Sequence, residues 1–347
     1  MIKTLSLCPT CYRKVEAEIS FQNGMVVMTK ECPIHGPSSA IVEKDIQHVS
    51  NFYHIGTLGQ NNSIIIHTHD GCNMTCPWCY YPTNSEGNHK PFSYYNEVLK
   101  MYRGFNLLMS GGEPTLRPDF FEFTEEGAAN GWMMSAITNM ITIADDDFYG
   151  KVLDSPLHYG DMVMLALSMQ HPKNYSADIH KKKVKALEQL ELSGKQAQCV
   201  MFSVQTLDEL DFIRDFYDAT KNLYPMLRVR TMFGNWQDKG NCNKIFLSDL
   251  HKAFLEKFSD LNPVISEDVE KSNMYCLYLT MDDGRHVSLS SAPTVDNLDY
   301  HQASRPVYML AEDGKCYPVP ICQIVSEGID RGWKDGYKLD SGGKLCM

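Results

Sequence analysis

Between residues 60 and 262 the sequence alternates six times between a short apolar or β-branched run and a longer stretch whose apolar residues recur at helical spacing. The strand-like runs are Ser63–His69, Phe105–Met109, Met133–Thr138, Met162–Ser168, Gln198–Val204 and Leu227–Met232. The helical patterns are Pro91–Tyr102, a helix beginning near Pro118 and Asp119 with Phe120 and Phe123 on one face, Asp145–Leu153, Lys182–Leu192, Asp208–Leu223 and Ser248–Leu261. The last is the clearest, with Leu250, Phe254, Phe258 and Leu261 on one stripe. Strand–helix units of this kind build parallel strands with helices outside, because a parallel neighbour is reached only through a crossover. The expected fold class is therefore α/β, and a partial (β/α)6 TIM-like barrel fits; in such barrels chemistry gathers at the C-terminal ends of the strands.

The 347 residues are enough for a large core, and the balance of 43% hydrophobic to 22% charged residues is that of a globular protein. The formal net charge of −11 argues against tracking along nucleic acid phosphates, though not against a local basic groove. The clearest basic run, His180 to Lys185, reads as the solvated start of a helix. No apolar run approaches the roughly 18–20 residues of a membrane span. The first eight residues are too short and polar for a signal peptide, so a cytoplasmic location is expected. Twelve cysteines, grouped in pairs and triplets in a long chain, point to metal rather than disulfides.

Residues 1–45 form a first unit. Cys8-Pro-Thr-Cys11 and Cys32-Pro-Ile-His35-Gly36 flank a strand, turn and strand: Glu16–Phe21, the hairpin signal Gln22-Asn-Gly24, and Met25–Thr29. Two metal knuckles carried by a β-hairpin describe a zinc-ribbon or rubredoxin-like module. Cys8, Cys11, Cys32 and His35 supply the closed tetrahedral set of a structural zinc site. Mononuclear iron is the alternative occupant, though it prefers four sulfurs.

The densest chemistry follows the first barrel strand. In Asp70-Gly-Cys-Asn-Met-Thr-Cys-Pro-Trp-Cys-Tyr80, Cys72, Cys76 and Cys79 have the spacing C-x3-C-x2-C. Iron–sulfur clusters usually take four cysteines, so three would leave one iron of a four-iron cluster open to another ligand. Ser110-Gly-Gly-Glu-Pro114 closes the second strand; its glycines permit close backbone approach, and Glu113 offers an acceptor for a cationic amine. The cysteine spacing, Trp78 just before the third cysteine and the Gly-Gly-Glu-Pro run together resemble the signature of the radical S-adenosylmethionine (SAM) superfamily. The N-terminal module, ending in Cys-Pro-x-His-Gly ahead of that signature, resembles that of the group that includes tetraether lipid synthase. This second likeness covers about the first hundred residues and bears on architecture more than on substrate.

The resemblance implies a [4Fe-4S] cluster on Cys72, Cys76 and Cys79, with its open iron chelated by the amino and carboxylate groups of SAM. It implies reductive cleavage of SAM, a 5′-deoxyadenosyl radical that abstracts hydrogen from substrate, and a flavodoxin- or ferredoxin-type reductant. It places Trp78, Gly111, Gly112 and Glu113 at the cofactor, the Gly-Gly-Glu run on the SAM amino group. Asn139 and Ser168, ending strands three and four, would meet the ribose and carboxylate; turn capping is the alternative. Gln170 falls at the same end. Arg228 and Arg230 alternate with valine on strand six and share one face, where they would clamp a carboxylate or phosphate, or form a salt bridge inside the barrel.

Residues 263–347 read as a β-rich extension that covers the open side of the barrel and the substrate. Its hairpins are Tyr275–Thr280 with Arg285–Leu289, and Pro306–Leu310 with Lys315–Ile321. Cys276, Cys316, Cys322 and Cys346 are candidate ligands of a second iron–sulfur cluster, although their spacing does not match the usual SPASM or twitch patterns and free buried cysteine is common. The substrate stays open among a small molecule, a lipid-like chain and a modified nucleotide or nucleic-acid base; isomerisation and carbon–carbon bond formation both fit. A different class is a non-catalytic iron–sulfur or zinc scaffold, distinguished by failure to cleave SAM.

Overall fold

A computed structural model of the chain describes residues 1–11, 14–50, 63–76, 79, 87, 89–99, 106–231, 245–266 and 275–291, together with the strand backbones 306–310, 316–320, 338–339 and 345–346. The N-terminal unit is a four-stranded antiparallel sheet of β1 (Ile2–Leu7), β2 (Lys14–Gln22), β3 (Met25–Cys32) and β4 (Gly36–Glu43), in that order. Asn23 and Gly24 both take positive φ, 51° and 78°, the turn an Asn-Gly pair makes between twisted strands. The outer strands β1 and β4 were not expected, because their Thr- and Ser-containing sequences lack a clean alternation. A short helix, α1 (Ile46–Ser50), follows.

The barrel elements come in the expected order. They are β5 (Ser63–His69), α2 (Phe92–Leu99), β6 (Asn106–Gly111), α3 (Phe120–Ala129), β7 (Met133–Thr138) and α4 (Asp146–Leu153). The two-residue β8 (His158–Tyr159) then lies antiparallel beside β9 (Met162–Met169). After it come α5 (Ala177–Ser193), β10 (Gln196–Val204), α6 (Glu209–Ala219), β11 (Met226–Thr231) and α7 (Leu247–Lys257). Strands β5, β6, β7, β9, β10 and β11 are neighbours in sequence order and all parallel. The sheet does not close: this is a partial TIM barrel.

Strand alternation sorts the two faces. Ile66, Met109, Ala136, Leu165, Val200 and Val229 lie on the outer face and bury against the helices. On the inner face Ala166, Cys199 and Met201 form a small apolar cluster with Ile137 and Met226, and polar residues continue beyond it. Helix α5 starts at Ala177 rather than Lys182, because Ser176 caps it by accepting from the Ile179 N–H (3.4 Å); it ends at Gly194 with φ 65°. The run from His180 to Lys185 is thus mid-helix, and Lys183 within it points inward with no exposed surface. The reading of that run as solvated is corrected at this residue.

The β-rich extension is present, and its hairpins join the barrel sheet itself. After β12 (Val264–Ile265), β13 (Cys276–Thr280) and β14 (His286–Ser290) extend the sheet beyond β11, with Arg228 opposite Ser288 and Arg230 opposite Ser290. At the other edge β15 (Pro306–Leu310) pairs parallel with β5 and antiparallel with β16 (Cys316–Pro320). Each hairpin occupies backbone groups that a barrel edge would otherwise leave unpaired. β17 (Lys338–Leu339) and β18 (Leu345–Cys346) pair with each other.

The N-terminal sheet is docked onto the barrel through Glu43, which is buried. Its carboxylate accepts from Ser248 Oγ (2.5 Å) and from the Ser248 N–H (3.1 Å) in the first turn of α7, where an anion suits the helix dipole. Lys44 pairs with Asp249, and His48 Nε2 lies 3.0 Å from His251 Nδ1. Tyr275 packs among Ala17, Ile19, Val26, Met28 and Val42. Among the described residues no helix is long and apolar enough to cross a membrane.

Candidate metal centres and cofactor site

In the N-terminal sheet the ligand atoms of Cys8, Cys11, Cys32 and His35 all lie within 4.8 Å of one another. Cys11 and Cys32 sulfurs are 3.8 Å apart; His35 Nδ1 is 3.6 Å from Cys8 Sγ and 3.7 Å from Cys32 Sγ. Two sulfurs bound tetrahedrally to zinc are about 3.8 Å apart, so this donor set fits the ion as it stands. Burial alone would raise the Cys8 thiol. The backbone N–H groups of Cys11 and Thr10 and the neighbouring thiols outweigh it and bring Cys8 down to about 7. The Ile34 N–H leads the same effect at Cys32.

The second centre sits at the C-terminal ends of β5, β6, β7 and β9. The cysteine loop is pinched at its base, where the His69 ring rests between Gly71 and Gly87. A Cβ would lie 2.7 Å from the ring at Gly71 and 2.3 Å from it at Gly87. The Gly-Gly-Glu segment is zipped to this base. The Gly112 N–H donates to His69 O (2.8 Å) and the Glu113 N–H to Gly71 O (2.7 Å). A Cβ on Gly111, which has φ 128°, would meet His69 O at 2.3 Å, and one on Gly112 would meet Gly71 O at 2.2 Å. The close approach these glycines permit is thus to the cysteine loop's own backbone.

Glu113 is only 2% exposed. Its Oε1 accepts from Thr115 Oγ1 (2.6 Å) and its Oε2 from the Asn139 N–H (2.7 Å), so it braces the end of β6 against the end of β7. Burial pushes its pKa up, against the pull of these hydrogen bonds. Asn139 caps a turn and also faces the cysteine loop. Its Oδ1 accepts from the Ile141 N–H (3.1 Å) as a turn cap, while its Nδ2 donates to Asn73 Oδ1 (2.7 Å) and reaches Cys72 Sγ at 3.8 Å. Ser168 Oγ accepts from Gln170 Nε2 (2.8 Å). Burial pushes the Cys72 thiol up to about 11 and the Cys76 thiol up to about 12.

Two further residues shape this end of the barrel. Lys183 Nζ donates to Asn139 O (2.7 Å) and Ser168 O (2.6 Å). Its spacing with Ala186, Leu187 and Leu190 was a legible sign of burial. Arg117 donates to Thr68 O, to Lys90 O (3.0 Å) and to Asp119 Oδ2 (2.8 Å), with its guanidinium 4.2 Å from the Phe123 ring. It ties the end of β5 to the start of α3, and no sequence pattern marks it.

Arg228 and Arg230 lie on the inner face, some strands away. Arg230 Nε donates to Ser203 Oγ (3.0 Å), Arg228 Nε lies 3.4 Å from Met226 Sδ, and Ser288 and Ser290 stand opposite across the register. Among the described residues no carboxylate pairs with Arg228. Trp78 and Cys322 fall outside the described residues, and of Cys316 and Cys346 only the strand backbone is described. Cys276 Sγ accepts from Ser290 Oγ (3.8 Å) on β13; β13 and β16 stand near opposite ends of the strand order.

A parallel partial barrel with three cysteines on its first loop, zipped to a Gly-Gly-Glu turn, is the arrangement of a radical SAM domain, and over that part the chain is similar to the radical SAM superfamily. The radical SAM family profile matches residues 66–216, and the profile of the HMPTM N-terminal zinc ribbon domain matches residues 1–44. Among curated proteins the chain is similar to 7,8-dihydro-6-hydroxymethylpterin dimethyltransferase of Methanocaldococcus jannaschii, with 24% identity over 190 residues, 45% of this chain and 37% of that protein. It is also similar to 7-carboxy-7-deazaguanine synthase of Haemophilus influenzae, with 35% identity over 71 residues, 20% of this chain and 32% of that protein. The chain thus spans about a third of the length of each. Among solved structures, Streptococcus suis SuiB bound to S-adenosylmethionine aligns at TM-score 0.45 and 18% identity, covering 57% of this chain and 47% of that one. TYW1 with a lysine–pyruvate adduct aligns at TM-score 0.40 and 15% identity, covering 73% and 90%.

The radical SAM match implies SAM and a [4Fe-4S] cluster, and the donors fit one: three thiols on a single loop, Cys72 already within reach of an amide donor, and no fourth cysteine contributed by the elements described around them.

Proposed function

We propose that this chain is a radical SAM enzyme acting on a small fused-ring nitrogen heterocycle. The observation that carries the enzyme reading is the zipped pair of loops, which ties the three-cysteine loop to the Gly-Gly-Glu turn and brings Cys72 to Asn139, itself bonded to Glu113, at the C-terminal end of a parallel barrel. Bound there, the cluster and SAM supply a 5′-deoxyadenosyl radical when a flavodoxin- or ferredoxin-type reductant delivers an electron. The protein's own work is orientation. Glu113 braces the loop that faces the SAM amino group, and Asn139 and Ser168 present polar atoms to the remainder of the molecule. Glu113's burial makes it first a brace and only then an acceptor for an ammonium.

The substrate class rests on two supports. The names of both curated relatives specify a pterin or a deazaguanine, each a fused pyrimidine ring. Beyond the apolar patch of Cys199, Met201 and Met226, the inner face of β10, β11 and β14 turns polar, with Ser203 beside Arg230, and Arg228 and Arg230 opposite Ser288 and Ser290. That lining suits hydrogen-bonded recognition of a heterocycle and its polar substituents and is ill matched to a hydrocarbon chain.

The test is direct. Reconstituted, reduced protein should release 5′-deoxyadenosine from SAM, and Cys76→Ala should abolish both the cluster and the release. Candidate pterins and deazapurines, deuterated, should transfer deuterium into 5′-deoxyadenosine; transfer from a lipid chain instead would overturn the substrate class. A wild-type protein holding a full cluster but making no 5′-deoxyadenosine would leave only a scaffold.

A further inference from the structure

One buried charge at this site has no part in the function proposed above. Lys183 has no exposed surface, and its ammonium is held by the carbonyl oxygens of Asn139 at 2.7 Å and Ser168 at 2.6 Å, with the Tyr175 ring 5.4 Å away. Burying an ammonium is costly because its hydration is lost. The same stripe of α5 is otherwise filled by Ala186, Leu187 and Leu190, so packing alone does not call for a lysine. Burial lowers the Lys183 pKa to about 8. Two carbonyl oxygens accept from its Nζ, an arrangement that suits the charged form. Its two carbonyl partners end neighbouring strands, and one of them, Asn139, reaches Cys72 with its side chain and Glu113 with its backbone N–H.

We propose that Lys183 is a positioning residue for the three-cysteine centre: an internal cation that pins the ends of β7 and β9 and stabilises the reduced state of a cluster held by Cys72, Cys76 and Cys79. A cluster gains one negative charge on reduction, and net charge around a cluster is one of the quantities that set its potential. A fixed positive charge in a low-dielectric surround therefore raises the midpoint potential. Pinning needs only hydrogen bonds, which a neutral donor supplies; the electrostatic effect needs the charge. The inference rests on the radical SAM reading of the site.

The experiment uses the full chain reconstituted with iron and sulfide, as wild type, Lys183→Arg, Lys183→Gln and Lys183→Met. Redox titration followed by the electron paramagnetic resonance of the reduced cluster gives the midpoint without turnover, and thermal melting reports the pinning. The expected result is a shift to more negative midpoint in Gln and Met, a wild-type midpoint in Arg, and a melting temperature for Gln above that for Met. If Met does not fold, Gln against Arg decides. A folded Gln variant that takes up no cluster, with Arg restoring it, also supports the cation. Gln and Met clusters at the wild-type midpoint would overturn the proposal and leave Lys183 a structural clamp. A wild-type cluster without 5′-deoxyadenosine formation sinks the enzyme reading while the midpoints still decide this one; a wild type that takes up no cluster sinks both.

Discussion

Cys8 and Cys76 are both candidate metal ligands at the end of a β-strand, yet the protein drives their thiols apart, Cys8 down to about 7 and Cys76 up to about 12. In the N-terminal sheet the knuckle backbones aim N–H groups at the sulfurs, and the four donors already stand at tetrahedral spacing. In the barrel loop the backbone N–H groups of the Gly-Gly-Glu turn go to the carbonyls of His69 and Gly71 instead. The sulfurs of Cys72 and Cys76 are desolvated, which raises their pKa values. On the proposed assignment, the first site would make its metal part of the fold, whereas the second builds its loops through backbone hydrogen bonds that need no metal.

That contrast predicts an asymmetric response to ligand loss. Cys32→Ser should release the zinc and unfold β1–β4, since structural zinc contributes on the order of 10 kcal/mol in small domains. Hydrogen exchange over residues 1–44 and zinc analysis would show it. Cys76→Ala should lose the iron while keeping one zinc per chain and a nearly unchanged melting temperature; an equal loss of stability in both variants would break the contrast. Glu43→Gln should weaken docking by about 1.5–3 kcal/mol, because it removes the charge from hydrogen bonds to Ser248, and melting of the N-terminal sheet should separate from that of the barrel. Gly112→Ala forces a Cβ into Gly71 O and should cost about 1–3 kcal/mol, with iron content falling and zinc unaffected.

The smallest effect is a pH slope in the barrel. Burial holds the His67 pKa down at about 3, against 6.5 for an exposed imidazole. Between those values the unfolded chain binds a proton that the folded chain does not. The stability is therefore fully present above pH 6.5 and falls as pH drops below it, by up to about 1.4 kcal/mol per unit. His67→Gln should flatten the melting temperature between pH 6.5 and 5; His48 and His251, also lowered by burial, keep part of the slope.

The repeating strand–helix pattern was legible because each outer-face residue, such as Ile66, Met109 or Val229, sits on a local period. The cysteine loop and the Gly-Gly-Glu turn were legible as motifs, and the zinc ligands as paired knuckles. What escaped was non-local. The hairpins were visible, but nothing in residues 276–290 states that they extend β11, nor in 306–310 that they flank β5. The reason Gly112 must be glycine lies in Gly71, a partner on another loop. Lys183 was lost because a charge run outweighed the periodicity that buried it, and Arg117 because a single residue in a turn has no period at all.

The pairing of β15 with β5, Val307 opposite Ile65 and Tyr308 opposite Ile66, joins segments more than two hundred residues apart. During synthesis the strand that leads into the cysteine loop emerges early, whereas its outer neighbour emerges after all of the barrel helices. Until residue 310 has left the ribosome, β5 presents an open row of backbone donors and acceptors. The loop that would receive iron is therefore assembled beside an unfinished edge, and a nascent chain halted before Pro306 would carry a complete set of cluster cysteines on a strand still free to pair with the wrong neighbour.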